Sequence, residues 1–240
     1  MSGRIVVVGA TGGIGGALAR RLAARGAAPF LVGRNEAKLA ALGAETGAPW
    51  QVADVTDTAA LKAAVAAAGT PLAGLAFCVG SILLKPAARL TEADMLDTFR
   101  LNVAAAAMAV QAAIPGLVAG KGAVVLFSSV AARRGFPNHA AIGAAKAAVE
   151  GLGVSLAAEL APNVRVNVIA PSLTQTQLAE PLTKSPQMAE AIARQHPIPR
   201  LGTAGDQAAL ADFLLSEAAS WMTGQVIGVD GGRGALAGKG

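Results

Sequence analysis

Two adjacent serines and a lysine near the middle of the chain are the best candidates for chemistry. The apolar run Val124–Phe127 predicts a buried strand, and Ser128 and Ser129 follow directly at its carboxyl end. After a Gly-Pro turn, alanine-rich sequence with no breaker until Gly151 predicts a helix that carries Lys146. Serine hydroxyls would therefore face a lysine ammonium at one edge of a sheet.

The beginning of the chain has the pattern of a nucleotide-binding unit. The apolar run Arg4–Val8 predicts a strand, a glycine-rich turn follows, and apolar residues at helical spacing then predict a helix that stops at Gly26. Gly9, Gly13 and Gly15 would let the backbone approach a pyrophosphate at the amino terminus of this helix. An ordinary glycine-rich turn is the alternative, but the position between a first strand and an amphipathic helix favours the binding site.

The residues after the second predicted strand bear on which dinucleotide would bind. This strand, Pro29–Val32, is followed by Gly33 and Arg34, where dinucleotide-binding folds commonly place an acid for the adenosine ribose. Gly33 has no carboxylate to repel a 2′-phosphate, and the Arg34 guanidinium can clamp one, with Lys38 one turn further on. This favours NADP(H) over NAD(H), although Arg34 is alternatively a solvated charge at a helix start.

Length and patterning together predict the fold. Strands alternate with helices along 240 residues, of which 53% are apolar. This favours an α/β fold with a single domain over residues 1–240, a Rossmann-like, doubly wound parallel sheet with helices on both faces. Ligands of such sheets bind at the carboxyl ends of the strands.

Composition limits the compartment and the partners. Cys78 is the single cysteine, so no internal disulfide is expected, and with no signal-peptide pattern the expected location is the cytoplasm. A net charge of +5 without a dense basic run and with 3% aromatic residues favours an anionic cofactor over nucleic acid. The apolar stretch 103–119 contains Gln111 and Pro115 and is too short for a membrane span. No metal site is predicted.

The serine, the lysine and the glycine turn resemble the core of the short-chain dehydrogenase/reductase family. In that family a catalytic tyrosine lies four residues before the lysine and thirteen after the serine. Counting from either Lys146 or Ser129, this position is Ile142, and the chain contains no tyrosine at all. The resemblance implies a reductase or dehydrogenase for a small carbonyl or alcohol substrate, but a reaction here cannot use a phenol.

The resemblance also assigns roles to residues along the rest of the chain. Asp54 and Val55 would contact the adenine, and Thr176, in a sequence similar to Pro-Gly-x-x-x-Thr, would contact the nicotinamide side of the cofactor. The family's Asn-Asn-Ala-Gly is replaced by Phe-Cys-Val-Gly, and Cys78 in it is interpreted as a core residue. The implied cofactor-binding residues are Gly9, Thr11, Gly13, Ile14, Gly15, Arg34, Asp54, Val55, Gly80, Lys146, Pro171 and Thr176.

Asn102 lies in a long predicted helix from Thr91 to Leu117, among leucine, valine and alanines. An amide in such surroundings is costly unless its donors and acceptor are paired, so partners are expected. By resemblance, Asn102 ties a backbone carbonyl and a water to the lysine. The candidate catalytic set is Asn102, Ser129, His139 and Lys146.

His139 is the candidate substitute for the missing proton donor. It precedes Ile142 by three residues and Lys146 by seven, so a helix that already includes it would place all three on one face. An imidazole is a competent acid near neutral pH. The alternative is a histidine in a capping turn after Pro137 and Asn138.

Three functions remain open on the sequence. The first is an NADP(H)-dependent oxidoreductase in which Ser129, Lys146 and His139 or water handle the proton. The second is a cofactor-binding sensor or partner protein without turnover, and the third is an isomerase or dehydratase using the same pocket. The five prolines from Pro171 to Pro199 predict loop and short helix, and the resemblance implies that this segment is a substrate lid. The nearly uncharged helix 103–119 predicts a homo-oligomer, a dimer or a tetramer.

Overall fold

A computed structural model describes residues 3–236 and shows one parallel sheet of seven strands with helices on both faces. The strand order is β3-β2-β1-β4-β5-β6-β9, so the direction of winding reverses between β1 and β4. The predicted α/β, doubly wound fold is confirmed. The sheet strands are β1 (Arg4–Val8), β2 (Ala28–Gly33), β3 (Trp50–Val52), β4 (Leu72–Phe77), β5 (Ala123–Phe127), β6 (Arg165–Pro171) and β9 (Val226–Val229).

Helices follow nearly every strand, and a short two-stranded ladder lies after β6. The ladder pairs β7 (Thr174–Gln175) with β8 (Gly202–Thr203). Between these two strands lies the region predicted as a lid, which forms short helices. The helices are α1 (Gly13–Ala24), α2 (Glu36–Thr46), α3 (Thr58–Ala66), α4 (Glu92–Phe99), α5 (Ala105–Gly120), α6 (Ala140–Leu160), α7 (Glu180–Thr183), α8 (Pro186–Ala193) and α9 (Ala204–Leu214).

The core has two layers because successive strand residues point to opposite faces of the sheet. On one face Val6, Val8 and Leu126 pack against α3, α5 and α6. On the other face Val7 and Val125 belong to the layer that also contains buried residues of α1 and α9. All five of these side chains are fully buried, which fixes the register of the central strands and hence the positions of their carboxyl ends.

The helix that carries Lys146 is longer than predicted. It continues past Gly151 and Gly153 to Leu160. A Cβ atom built on Gly153 would lie 2.3 Å from Cγ2 of Val168, so this glycine allows α6 to approach β6 closely. Packing against the sheet therefore outweighs the low helix propensity of glycine at this position.

The helix predicted from Thr91 to Leu117 begins as expected but is irregular in the middle. Thr91 and Asp94 form the predicted capping box at the start of α4. A π-helical turn, Arg100–Ala104, then separates α4 from α5, and Asn102 lies inside it. Such turns insert an extra residue and are frequent at functional sites.

Two helical stretches are long and apolar enough, by length and composition alone, to cross a membrane. They are Glu92–Gly120 and Ala140–Leu160, and 44% of the tested window of each is buried inside the protein. Core helices pass the same test, so this is weak evidence for a membrane span. The buried sides of α5 and α6 pack against the sheet.

Candidate active site

A cavity of about 320 Å³ lies at the carboxyl ends of the central strands. Its wall comes from the ends of β4, β5 and β6, the first turns of α6 and the lid region. Seven of the residues predicted for the site line it together: Ile14, Gly80, Ser129, His139, Lys146, Pro171 and Thr176. The other predicted residues lie beside this cavity or further along the sheet edge, as described below.

Lys146 is held at the centre of this arrangement. Its side chain is buried, and Nζ donates a hydrogen bond of 3.0 Å to the backbone oxygen of Phe127 at the end of β5. Burial in an apolar surrounding disfavours the ammonium and lowers the pKa of Lys146 to about 8. A Cβ built on Gly80 would lie 3.2 Å from this Nζ, so a larger residue at this position would crowd the lysine.

Asn102 faces the same glycine from α5's side of the sheet. A Cβ on Gly80 would lie 3.3 Å from Asn102 Oδ1. The amide Nδ2 donates to Ser81 Oγ at 3.0 Å and to the oxygen of Thr98 at 2.9 Å, while Oδ1 accepts from Ser81 N at 3.4 Å. The prediction that this buried amide is paired, including to a backbone carbonyl, is confirmed. Asn102 and Lys146 thus flank one backbone position.

The two serines after β5 have different surroundings. Ser129 Oγ accepts from the amide of Ala131 at 3.1 Å, which leaves its hydroxyl hydrogen available to a ligand in the cavity. Ser128 is buried, and its Oγ lies 2.9 Å from the oxygen of Lys146 and 3.0 Å from Glu150 Oε1. Ser129 is therefore the serine suited to a substrate, and Ser128 fastens α6 to the end of β5.

Ile142 fills the wall at the position where the sequence pattern leads one to expect a phenol. It lines the cavity one helical turn before Lys146 and is only 5% exposed. Its side chain has no hydrogen-bonding group, so nothing at this position can donate a proton.

His139 lies in the capping turn, immediately before α6, and does not belong to the helix. Its Nδ1 is 2.7 Å from the oxygen of Pro137, and its ring packs on Phe136 at 5.3 Å between centroids. A carbonyl only accepts, so Nδ1 carries a hydrogen in this arrangement. The residue also lines the cavity, so its predicted role as a proton donor stays a prediction.

The glycine turn between β1 and α1 has the close approaches that a dinucleotide site requires. Gly9 has a φ of +83°, and a Cβ on Gly15 would lie 2.3 Å from the oxygen of Gly9. At Gly13 a Cβ would lie 2.6 Å from Cγ2 of Thr176, which brings the start of the lid onto the turn. Within the described residues no N-cap side chain accepts from the first backbone amides of α1, so these amides can donate to a pyrophosphate, and the residues present fit the cofactor.

The predicted adenosine end of the site combines an exposed cation with a turn. The Arg34 side chain is 75% exposed, and its Nη1 lies 3.8 Å from Asp54 Oδ2. Asp54 Oδ1 accepts from the amide and hydroxyl of Thr56, and these bonds lower the pKa of Asp54. A Cβ on Gly33 would lie 3.3 Å from Thr11 Oγ1, so Thr11 and Gly33 are neighbours. Val55 is buried.

Cys78 is half-buried: it packs against the core and also lines the cavity. Burial raises the pKa of its thiol to about 12, which makes it a poor nucleophile. Within residues 3–236 no group of three or more His, Cys, Asp or Glu side chains is arranged to hold a metal ion.

Two polar groups at the site were not identified from the sequence. Glu150 joins Ser128 to Arg133, whose Nε donates to Glu150 Oε2 at 2.6 Å. Ser172, at the end of β6, lies with its Oγ 2.8 Å from Nε2 of His196, which is 3% exposed. The only signal in the sequence is that Ser172 replaces the glycine expected after Pro171. Nothing in the neighbouring sequence connects this serine to a histidine in the lid region.

Comparison with known proteins gives relatives over almost the whole chain. The family model described as enoyl-(acyl carrier protein) reductase matches residues 9–233. A protein named inactive 2-(S)-hydroxypropyl-CoM dehydrogenase 2, from Xanthobacter autotrophicus, is 38% identical over 231 residues, which cover 91% of this chain and 100% of that one.

Solved structures agree with this result. A short-chain type dehydrogenase/reductase from Mycobacterium ulcerans is 35% identical with a TM-score of 0.92, covering 99% of this chain and 92% of that one. A gluconate 5-dehydrogenase from Burkholderia cenocepacia, in complex with NADP and tartrate, is 28% identical with a TM-score of 0.91 and coverages of 98% and 96%. The chain belongs to the short-chain dehydrogenase/reductase family.

Proposed function

We propose that this protein is an NADP(H)-dependent oxidoreductase that interconverts a small carbonyl compound and its alcohol. The observation that carries the proposal is that Lys146 and Ser129 line one cavity beside the glycine turn, with Asn102 buried behind its wall and bonded to Ser81. A protein that only bound nucleotide would need Lys146 but has no evident use for a serine with a free hydroxyl hydrogen in the cavity. The cavity wall also carries many aliphatic side chains, including Ile82, Leu178 and Ile192, which suits a substrate of low polarity.

The proposed mechanism gives each of the chain's residues a task. The start of α1 binds the pyrophosphate, and Lys146, fixed by the oxygen of Phe127, binds the ribose next to the nicotinamide. Ser129 donates a hydrogen bond to the substrate oxygen and so stabilises charge that develops there. The dinucleotide, when bound, supplies or accepts the hydride. Ile142 contributes only apolar surface, so the proton must come from another group.

A second function, cofactor binding without turnover, has two observations in its favour. Ile142 removes the family's proton donor, and the relative from Xanthobacter is itself named inactive. Steady-state assays of a panel of carbonyls and alcohols, followed at the nicotinamide absorbance, separate the two functions. Turnover of any substrate supports the oxidoreductase, whereas tight NADPH binding without turnover supports the sensor or partner. An isomerase or dehydratase would convert substrate with no change in that absorbance.

NADP(H) is expected to bind more tightly than NAD(H), and Arg34→Asp is expected to reverse this preference. The exposed Arg34 guanidinium is accessible to a 2′-phosphate, and one charge-assisted clamp contributes about 1.5–3 kcal/mol. Calorimetry would measure both dissociation constants for each protein. Arg89→Asp, the same change of charge on a different segment, serves as control, and equal constants in the wild type would contradict the assignment.

We also propose a cytoplasmic homo-oligomer, a dimer or a tetramer. The helices α4, α5 and α6 expose apolar side chains, with Leu96 62%, Val118 41% and Val154 48% exposed. Such surface is commonly covered by a second subunit. Light scattering at micromolar concentration is expected to give a multiple of 23.7 kDa, and Val154→Glu is expected to lower that mass. A wild-type monomer would exclude the proposal.

A further inference from the structure

Ser172 and His196 form a buried hydroxyl–imidazole pair between two cavities. Ser172 lines the active-site cavity and also a second cavity of about 310 Å³, whereas His196 lines only the second. The two side chains are 2.8 Å apart and mostly buried, with Ser172 8% and His196 3% exposed. The pair therefore connects the wall of the active site to a separate polar compartment.

The hydrogen bonds of His196 determine which of its nitrogens is basic. Its Nδ1 lies 2.9 Å from the oxygen of Ile192 and 3.3 Å from that of Ala193. Carbonyl oxygens only accept, so Nδ1 carries a hydrogen and Nε2 of the neutral ring accepts from Ser172. A serine whose hydroxyl donates to an oriented imidazole is the arrangement that activates serine for proton exchange. No other described group bonds to the Ser172 hydroxyl.

The second cavity can supply protons to this pair. Its volume has room for several water molecules at about 30 Å³ each. Gln207 is fully buried and lines the cavity, and its Oε1 has no hydrogen-bond partner within the described part of the chain. Asp206 and Asp230 also line this cavity, so water in it has hydrogen-bond partners.

On the side of the second cavity, the charged side chains near the pair already have hydrogen-bond partners. Arg200 and Asp206 bond to each other at 2.7 and 2.9 Å, and Asp230 accepts from two backbone amides. Among the described residues of this lining, no unpaired carboxylate competes with Ser172 for the imidazole. Besides His196 itself, the titratable or charged groups on the two cavity walls are Cys78, His139, Lys146 and Arg233 on the active-site side and Arg200, Asp206 and Asp230 on the other.

We propose that Ser172 exchanges the proton with the substrate oxygen, and that His196 acts through Ser172 as its proton source and sink. This inference rests on the proposed oxidoreductase function, in which a reduced nicotinamide dinucleotide is the reductant. In reduction, the O–H bond of Ser172 breaks and its proton passes to the carbonyl oxygen. The Nε2–H of protonated His196 returns a proton to Ser172 Oγ, and water in the second cavity reprotonates His196. The oxidation of an alcohol uses the same steps in reverse.

The first test does not depend on turnover. The chain has two histidines, so ¹⁵N-histidine NMR of the whole protein without cofactor resolves both rings. His196 is expected to carry its hydrogen on Nδ1, and Ser172→Ala is expected to shift its Nε2 resonance while leaving His139 unchanged. A hydrogen on Nε2 in the neutral ring, or no shift in Ser172→Ala, would overturn the proposed pair.

The second test is kinetic. Ser172→Ala is expected to lower kcat by about 10² to 10⁴ with unchanged NADPH affinity, and Ser172→Thr, which keeps a hydroxyl, is expected to recover much of it. Reduction through this pair needs protonated His196, so the kcat of the wild type is expected to fall along one limb of its pH profile as the ring loses its proton. His196→Gln keeps a hydrogen-bonding amide but cannot carry that proton, so this limb should disappear. His139→Gln should keep that limb.

The outcomes separate this inference from the proposed function. Turnover by the wild type together with an unchanged kcat in Ser172→Ala overturns only the Ser172 assignment. Loss of the limb in His139→Gln, with its retention in His196→Gln, also overturns it and assigns the acid to His139. A wild type that binds NADPH but converts no substrate overturns the oxidoreductase function, and the catalytic role of the pair with it.

Discussion

In a Ser172→Ala background, which lacks the proposed donor, Ile142→Tyr is expected to raise the rate of carbonyl reduction by about 10² to 10⁴, the contribution of one positioned proton donor. Ile142 is in the cavity wall, one turn before Lys146 on α6, so a phenol placed there would point into the same space as the substrate oxygen. The Lys146 ammonium nearby would stabilise the phenolate and lower the pKa of the new phenol below its usual value near 10. The position of the phenol and its lowered pKa both favour proton donation at neutral pH.

The chain offers two controls for this variant. Ile142→Phe adds the same ring without the hydroxyl, so any cost of fitting a larger side chain appears in both variants, whereas only tyrosine should accelerate the reaction. Because the native chain has no tyrosine, the phenol of the variant is the only one present, and ultraviolet absorbance reports its titration directly. Equal rates for the Tyr and Phe variants, with both folded and binding NADPH, would show that the cavity does not present the carbonyl to this position.

The parts of the site that can be predicted from the sequence follow from short-range patterns. The glycine turn lies between a strand and a helix that are adjacent in the chain, so its geometry at Gly9 and Gly15 follows from local spacing. The carboxyl ends of parallel strands meet at one edge, so the strand pattern alone is enough to place Ser129 and Gly80 together. The capping box of Thr91 and Asp94 is also purely local.

The parts that were not predicted depend on contacts between segments far apart in the chain. Ser172 and His196 are 24 residues apart and meet only because the lid region returns to the end of β6. Similarly, Gly151 gave a signal for a helix end, and only the contact of nearby Gly153 with Val168 explains why α6 continues. The π-helical turn around Asn102 has no local sequence signal, and both this turn and α4 pack against α6, which comes much later in the chain.

Lys146→Met is expected to abolish turnover and, at pH 7, to raise the free energy of unfolding by about 1–3 kcal/mol. In the folded protein burial lowers the pKa of Lys146 from 10.5 to about 8. A difference of this size corresponds to about 3 kcal/mol of destabilisation while the ammonium is charged. Methionine has a similar length and no charge, and the hydrogen bond to the oxygen of Phe127 that it loses offsets about 1 kcal/mol of the gain.

The sign of the pH dependence distinguishes this explanation from simple repacking. Between pH 8 and 10.5 the unfolded chain binds a proton at Lys146 that the folded chain has lost, so the stability of the wild type, relative to the variant, rises with pH in this window. The cost of the buried charge is fully present below about pH 8 and is lost as the pH rises to 10.5.

Urea unfolding gives the free energy of unfolding of the wild type and of Lys146→Met at pH 7 and near pH 10. The stability gain of the variant can then be compared between the two pH values. A stability gain that is the same at both pH values would mean that methionine only packs better, and that Lys146 is not destabilised by burial. A gain confined to the lower pH, accompanied by loss of turnover and of NADPH affinity, would show that the fold retains a destabilising charge at the position where the cofactor needs it.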